Sequence, residues 1–395
     1  MRKFMNCLLA TALLATTALL ASCDNDDEES TDNPAEEIVY GAKQHDTAIL
    51  LCTFGSTYKE SMHVYDETLK EFQTEFPEAD VYLSFTSRTC IGRVKATTGE
   101  ARLQADQWLD AFGKAGYKKV AVQSLHVIPG EEYLSLMNTT VKKDFMISHF
   151  PSIQVLKSAN LLNDEDDTEA VADVLYNHYK DKLTDKKKIV LFMGHGNPDV
   201  NYNANQKYAD VEEDLQEKAS TYKNVFVGTV DYGDMLFWPN EENEKGEEVP
   251  VLPASRVENQ PEYKDCIYNK LMAYVKTNGG TPADYTIYLA PFMSIAGDHA
   301  HNDLWGLEDG NDTKDIEPYS DASWRLRLQA LGFKIDQTET HPEAQTGADH
   351  GIETGCGIKA LGDYKEIRAI WLKHLKDDYN KANKWENGEK YQPEA

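Results

Sequence analysis

Short, continuously apolar runs alternate with longer amphipathic stretches from about residue 46 onward, and the alternation then starts over. Ala48-Ile49-Leu50-Leu51-Cys52 has the composition of a strand buried on both faces. Val81–Phe85 and Val120–Ser124 follow it, with helical stretches reaching to about Phe76 and from about Ala101 to Ala115 between them. Strands alternating with helices predict βαβ units and a mainly parallel sheet. The second series is Ile189–Met193, Val225–Val230 and Tyr285–Ala290. After the third strand of each series the spacing matches again. Val127-Ile128-Pro129-Gly130-Glu131-Glu132 aligns with Ser294-Ile295-Ala296-Gly297-Asp298-His299, with Ile and Gly shared and an acid next. The expectation is an α/β chain of two similar Rossmann-like halves with a cleft between them, 46–185 and 186–395. The second half carries a charged excursion near 233–260 that has no apolar periodicity. A last helix is expected near Tyr364–Tyr379, with Ile367, Ile370, Trp371 and Leu375 on one face.

Ligands of open α/β sheets bind beyond the carboxyl ends of the strands. In the second half that edge carries His195, Asp231 and His299. Two imidazoles and a carboxylate suit a divalent first-row metal, and Gly194 and Gly196 let a ligand approach His195 closely. His126 lies at the corresponding edge of the first half, where facing the cleft and being a satisfied core histidine are both open. His301 is either a second ligand or an exposed neighbour; His341 and His350 read as surface. Thr53-Phe54-Gly55-Ser56-Thr57 is a small-residue loop leading into a helix, able to offer backbone N–H groups to carboxylates or phosphates. Walker, GxSxG and GxGxxG motifs are missing from the strand ends, which leaves nucleotide-binding and hydrolase-elbow chemistry without support.

The chain begins outside this pattern. Arg2 and Lys3 precede an apolar stretch, Leu8–Leu20, too short for a spanning helix. It ends in Leu20-Ala21-Ser22-Cys23, which resembles a bacterial lipoprotein signal with Cys23 as the lipidated residue. Residues 1–22 are read as the signal and 23–45 as an acidic flexible tether. The resemblance implies an exported lipoprotein at the outer membrane, touching the membrane through its lipid alone. The formal charge of −27 argues against a nucleic-acid partner. Cys52, Cys90, Cys266 and Cys356 contain no CxxC pair, so a cysteine zinc site is not expected, and Cys52 reads as a buried small apolar residue.

Taken together, ILLCTFGSTY (49–58), AVQSLHVIPGEEY (121–133), LFMGHG (191–196), VGTVD (227–231) and MSIAGDHAHNDL (293–304), with Ser323-Trp324 after them, resemble the anaerobic class II sirohydrochlorin cobaltochelatases. The resemblance runs in order from about residue 46 to the C-terminus. It implies a tetrapyrrole cleft between the halves and insertion of a divalent metal substrate, cobalt or iron(II), with no organic cofactor. It implies a metal centre at His195 and His299, with the family's glutamate position falling on Asp231, one methylene shorter. Thr53, Gly55, Ser56, Thr57, Arg88 and His126 are then expected around the ring, with Arg88 the natural partner of a peripheral carboxylate. Because a biosynthetic precursor is made inside the cell, a second reading stays open: a non-catalytic tetrapyrrole- or metal-binding lipoprotein serving haem, corrinoid or cobalt uptake, with an outer-membrane partner. Removal of metal from an imported ring is a third. Oligomeric state is not legible in the sequence.

Overall fold

Among the described residues, two four-stranded sheets, parallel throughout, form the framework. The computed structural model describes residues 33–58, 61–198, 204–237, 240–242, 248–250, 266–306, 316, 322–336 and 358–391. The signal segment, Cys23, the acidic run after it, most of the charged excursion, His341, His350 and Cys356 lie outside the described residues. The first sheet contains β1 (Thr47–Thr53), β2 (Asp80–Phe85), β3 (Lys119–Ser124) and β4 (Gln154–Lys157) in the order β2-β1-β3-β4. In the second half come β5 (Lys188–Gly194), β6 (Val225–Thr229), β7 (Asn240–Glu242), β8 (Glu248–Pro250), β9 (Thr286–Pro291) and β10 (Lys334–Ile335). Its sheet runs β10-β9-β5-β6, which is the first sheet's order counted from β5. β7 and β8 pair antiparallel within the charged excursion, which is therefore not wholly irregular.

Burial explains why the runs are continuously apolar. Ala48, Leu50 and Cys52 face one side of β1, against Leu109, Phe112 and Phe145, while Ile49 and Leu51 face the other. The two faces of β1 belong to separate clusters, and the second of these is shared with the other half. Ile49, Leu51 and Ala121 of the first sheet join Val190, Phe192 and Val227 of the second in one buried cluster, filled between by Val171, Leu175, Val211 and Trp371. A third cluster covers the far face of the second sheet with Ile267, Leu271, Trp305 and Trp324. Each large apolar side chain moved from water into these layers contributes about 1.5–3 kcal/mol. The last helix, Lys365–Tyr379, packs on β3 of the first half, with its indole N–H donating to His126 O (3.4 Å) from Trp371. The chain therefore returns to its first half after completing the second.

One local reading changes, and two helices appear that were not read from the sequence. The tether expected over 23–45 is shorter at its C-terminal end, because α1 (Pro34–Ala42) buries Ala35 and Val39 fully against α4 (Ala105–Lys114). Proline at the helix start suits a position whose N–H has no intrahelical partner. The helix expected over 101–115 is α4, and one that was not expected precedes it: α3 (Arg88–Thr98), capped by Ser87 and ended by a left-handed Gly99. A helix beginning at Glu131–Leu134 (α5) continues with a wider pitch over Ser135–His149, closing with Phe150 N–H on Phe145 O. Its buried residues Leu136, Met137, Val141, Phe145 and Met146 recur every four to five positions, which a 3.6-residue template passes over.

Helix α6 (Glu165–Leu183) opens through reciprocal hydrogen bonds between Asp164 and Asp167. Cys52, Cys90 and Cys266 are free thiols, with Cys52 fully buried. No helix among the described residues is long and apolar enough to cross a membrane.

Candidate functional site

The two first strands end alike. β1 runs into Thr53-Phe54-Gly55 and β5 into Gly194-His195-Gly196, with positive φ at Gly55 (107°) and Gly196 (92°). At Gly196 the need for glycine is double: any Cβ would also collide with the carbonyl of Asp231. His195 is thus lifted onto the exposed rim of the second sheet. Asp231 follows β6 beside it, its N–H donating to His195 O (3.1 Å). Beyond β9, an irregular stretch through Gly297 leads to His299 at the start of the helical segment Ala300–Leu304.

The two imidazoles meet edge to face, ring centroids 4.7 Å apart and planes at 74°. His195 Nδ1 donates to Gly196 O (2.9 Å), and His299 Nδ1 to Asp303 Oδ2 (2.6 Å). A carbonyl or carboxylate oxygen only accepts, so the proton sits on Nδ1 in each ring and Nε2 keeps its lone pair when the ring is neutral. Their proton affinities diverge. Loss of hydration holds His195 below the usual histidine value. The Asp303 hydrogen bond raises His299, against a smaller opposing effect of burial. At neutral pH His195 therefore offers an electron pair, and His299 is poised to exchange a proton.

Asp231 acts on both rings, its charge favouring the protonated form of each. Among the described residues no three His, Cys, Asp or Glu side chains are gathered closely enough to enclose an ion. The expected trio of His195, Asp231 and His299 is an open pair of rings with a carboxylate nearby, not a closed cage. Asp234, three residues beyond Asp231, is buried away from the pair and its Oδ2 accepts from Lys270 Nζ (2.7 Å).

Glu132 is the residue that the sequence reading did not select. In the alignment of the two halves it stands opposite His299, and in the folded chain its carboxylate acts electrostatically on His299. Lost hydration, with Glu131 next to it, pushes its carboxyl up to about 7, although its side chain keeps access to solvent. The halves are tied here by Glu131 N–H donating to Asn197 Oδ1 (2.9 Å). The signal that could have found Glu132 was the internal repeat itself.

His126 is a buried, satisfied histidine. Its Nδ1 pairs with Ser124 Oγ (2.8 Å), burial lowers its pKa to about 4, and Nε2 lies 3.8 Å from Glu132. It reaches the site through Glu132. In the first loop the side chains of Thr53 and Ser56 are also buried, Ser56 Oγ accepting from Tyr58 N–H (3.1 Å), so Phe54 and Thr57 are what the loop exposes. Arg88 is exposed at the first turn of α3. His301 is neither exposed nor a partner of His299. It is buried, donates from Nδ1 to Gly297 O (2.8 Å), and stacks on Tyr58 at 3.7 Å.

The family model for cobalt chelatase (CbiK) matches residues 47–235 and 250–380, and the unmatched gap falls inside the charged excursion. The sirohydrochlorin cobaltochelatase of Salmonella typhimurium is 24% identical over 339 residues, which cover 85% of this chain and 97% of the relative. The sirohydrochlorin cobaltochelatase CbiKC of Nitratidesulfovibrio vulgaris is 26% identical over 335 residues, 83% of this chain and 88% of the relative. Among solved structures, SirB from Bacillus subtilis with Fe3+ aligns with a TM-score of 0.46 at 12% identity, covering 85% of this chain and 97% of that one.

Proposed function

The chain belongs to the cobalt chelatase (CbiK) family, and on that premise we propose that it inserts a divalent metal substrate, cobalt or iron(II), into a sirohydrochlorin-type tetrapyrrole. The observation that carries this reading is the facing pair His195 and His299, each with Nδ1 engaged, joined by Glu132 from the other half. Insertion releases the inner N–H protons of the ring as the divalent ion enters, so the site must hold a cation and receive protons. His195, whose charged form is disfavoured by lost hydration of its ring, supplies a lone pair to the ion. Glu132, titrating near neutrality, takes a proton and returns it to solvent. Asp231 sits where the family's glutamate falls and supplies negative charge to both rings.

The pH dependence follows from the direction of these shifts. Below about 7 Glu132 holds its proton, and the Asp303 hydrogen bond favours the protonated form of His299 in the same direction, so acid disfavours both proton uptake and a second lone pair. Insertion of cobalt(II) into sirohydrochlorin, followed by absorbance, is expected to rise with pH through neutrality. Glu132→Gln removes the proton acceptor and is expected to lower kcat by about a hundredfold, the smaller end of general-base effects. A Glu132→Gln rate equal to the parent at every pH would show that the carboxylate takes no proton.

Export and anchoring rest on Arg2, Lys3, the apolar run Leu8–Leu20 and Cys23. The mature protein is then an outer-membrane lipoprotein whose catalytic body hangs from an acidic segment. Cys23→Ser is expected to move the protein from the membrane fraction to the soluble fraction; unchanged membrane association would exclude Cys23 as the anchor.

A further inference from the structure

A ring rimmed with ionised carboxylates must approach a chain whose formal charge is −27. Like charges slow such an encounter unless a local patch of opposite sign receives the ligand. Helix α3 departs from the acidic background: from Arg88 to Thr98 it carries Arg88, Arg93 and Lys95 and no acid. The helix is fixed to the rim of the first half, Ser87 N–H donating to Phe54 O (3.0 Å). From it Arg93 reaches the other half, where Nη1 lies 4.0 Å from Oδ1 of Asp298, the neighbour of His299. Asp298 is oriented towards this cation, because the same oxygen accepts from Tyr58 Oη (3.3 Å) and Asn302 Nδ2 (3.2 Å). Yet the Arg93 and Asp298 side chains remain 61% and 56% exposed. At that separation and exposure an ion pair is weak enough to be exchanged for another carboxylate.

We propose that Arg93 and Asp298 form an exchangeable pair across the two rims, in which Asp298 occupies the place that a peripheral carboxylate of the ring takes on binding. This rests on the chelatase reading, which supplies a polycarboxylate as the ligand. Arg93 is then a residue of substrate binding, and Asp298 is the internal competitor that the ring displaces. The two residues should therefore affect binding with opposite signs, whereas two partners of a purely structural bridge would affect it in the same direction.

The test is a binding titration of the purified full chain by fluorescence, using an octacarboxylic uroporphyrin and a dicarboxylic porphyrin as probes. Arg93→Gln is expected to weaken uroporphyrin binding about threefold, and Asp298→Asn to tighten it about twofold, the scale of an exposed pair. Asn keeps an Oδ1 acceptor for Tyr58 and Asn302, so the turn is preserved. The dicarboxylic probe should respond less to either change. In metal insertion Arg93→Gln should raise KM with kcat unchanged. In the Arg93→Gln background the gain from Asp298→Asn should vanish. Weaker binding in both single variants, no change in either, or an Asp298→Asn gain that persists without Arg93 would each overturn the proposal. Failure of the parent chain to metallate sirohydrochlorin is a separate result and refutes the chelatase reading, while the binding signs judge the pair.

Discussion

Replacing His195 or His299 with alanine is expected to lower cobalt insertion by about a hundredfold or more, while binding of the free ring changes little. Each ring has its Nδ1 engaged by an acceptor close along its own chain segment, so truncation removes an Nε2 lone pair. The pair stands 4.7 Å apart between centroids, close enough for one ion to meet both, and removing a group that acts only during the chemical step lowers kcat and kcat/KM together. Asp303→Asn should have a smaller effect, about tenfold, because it disturbs the orientation and basicity of His299 and leaves the ring in place. Stopped-flow absorbance with cobalt(II) in excess separates insertion from ring binding. An alanine variant at either histidine that inserts cobalt at the parent rate would remove that residue from the metal's path.

The second large effect lies in the support beneath the site. Lys270 Nζ is enclosed between Glu212 Oε1 (3.0 Å) and Asp234 Oδ2 (2.7 Å), all three side chains being nearly buried. Glu212 also receives the Val227 N–H on Oε2 (2.8 Å), which fixes α7 (Gln206–Lys218) to β6, the strand that delivers Asp231. Burial opposes the charge on Lys270, but the two carboxylates outweigh it and hold the amine above its usual range. Lys270→Met leaves two buried carboxylates facing each other and is expected to cost about 3–5 kcal/mol of stability. The sign with pH is set by the acids. Glu212 is already raised by burial, and loss of Lys270 raises it further, so the variant's deficit is largest where both acids are ionised and shrinks as pH falls. Denaturant unfolding at neutral and mildly acidic pH measures this; a deficit below about 1 kcal/mol at neutral pH would mean that solvent reaches the cluster.

Much of this was legible because burial writes itself into composition. Strands covered on both faces need apolar residues at every position, and Ile49–Cys52, Ile189–Met193 and Ile287–Ala290 have them. Strand ends were legible too, since a histidine between two glycines has no reason to follow such a run in a core. The rest depended on contacts between distant segments. Nothing local says that Trp371 of the last helix fills the space beside β3, or that Ala35 and Val39 dock on α4 and shorten the tether. The wide helix Ser135–His149 escaped because its apolar repeat follows neither 3.6 nor 2 residues. His126 and His301 were ambiguous because hydrogen bonding and stacking, invisible in sequence, decide between ligand and buried partner. Glu132 was within reach: the repeat placed it opposite His299, and an acid in that position can serve the same site from the facing half.

The central claim is that the paired rims present a metal to a tetrapyrrole and accept the protons that leave it. It is tested most directly by a single-turnover measurement with purified chain, sirohydrochlorin and cobalt(II) near neutral pH. The account predicts that the absorbance of the metallated ring grows faster than in buffer with the same metal and ring, in proportion to protein concentration. Growth at the buffer rate, with the ring demonstrably bound, would contradict it.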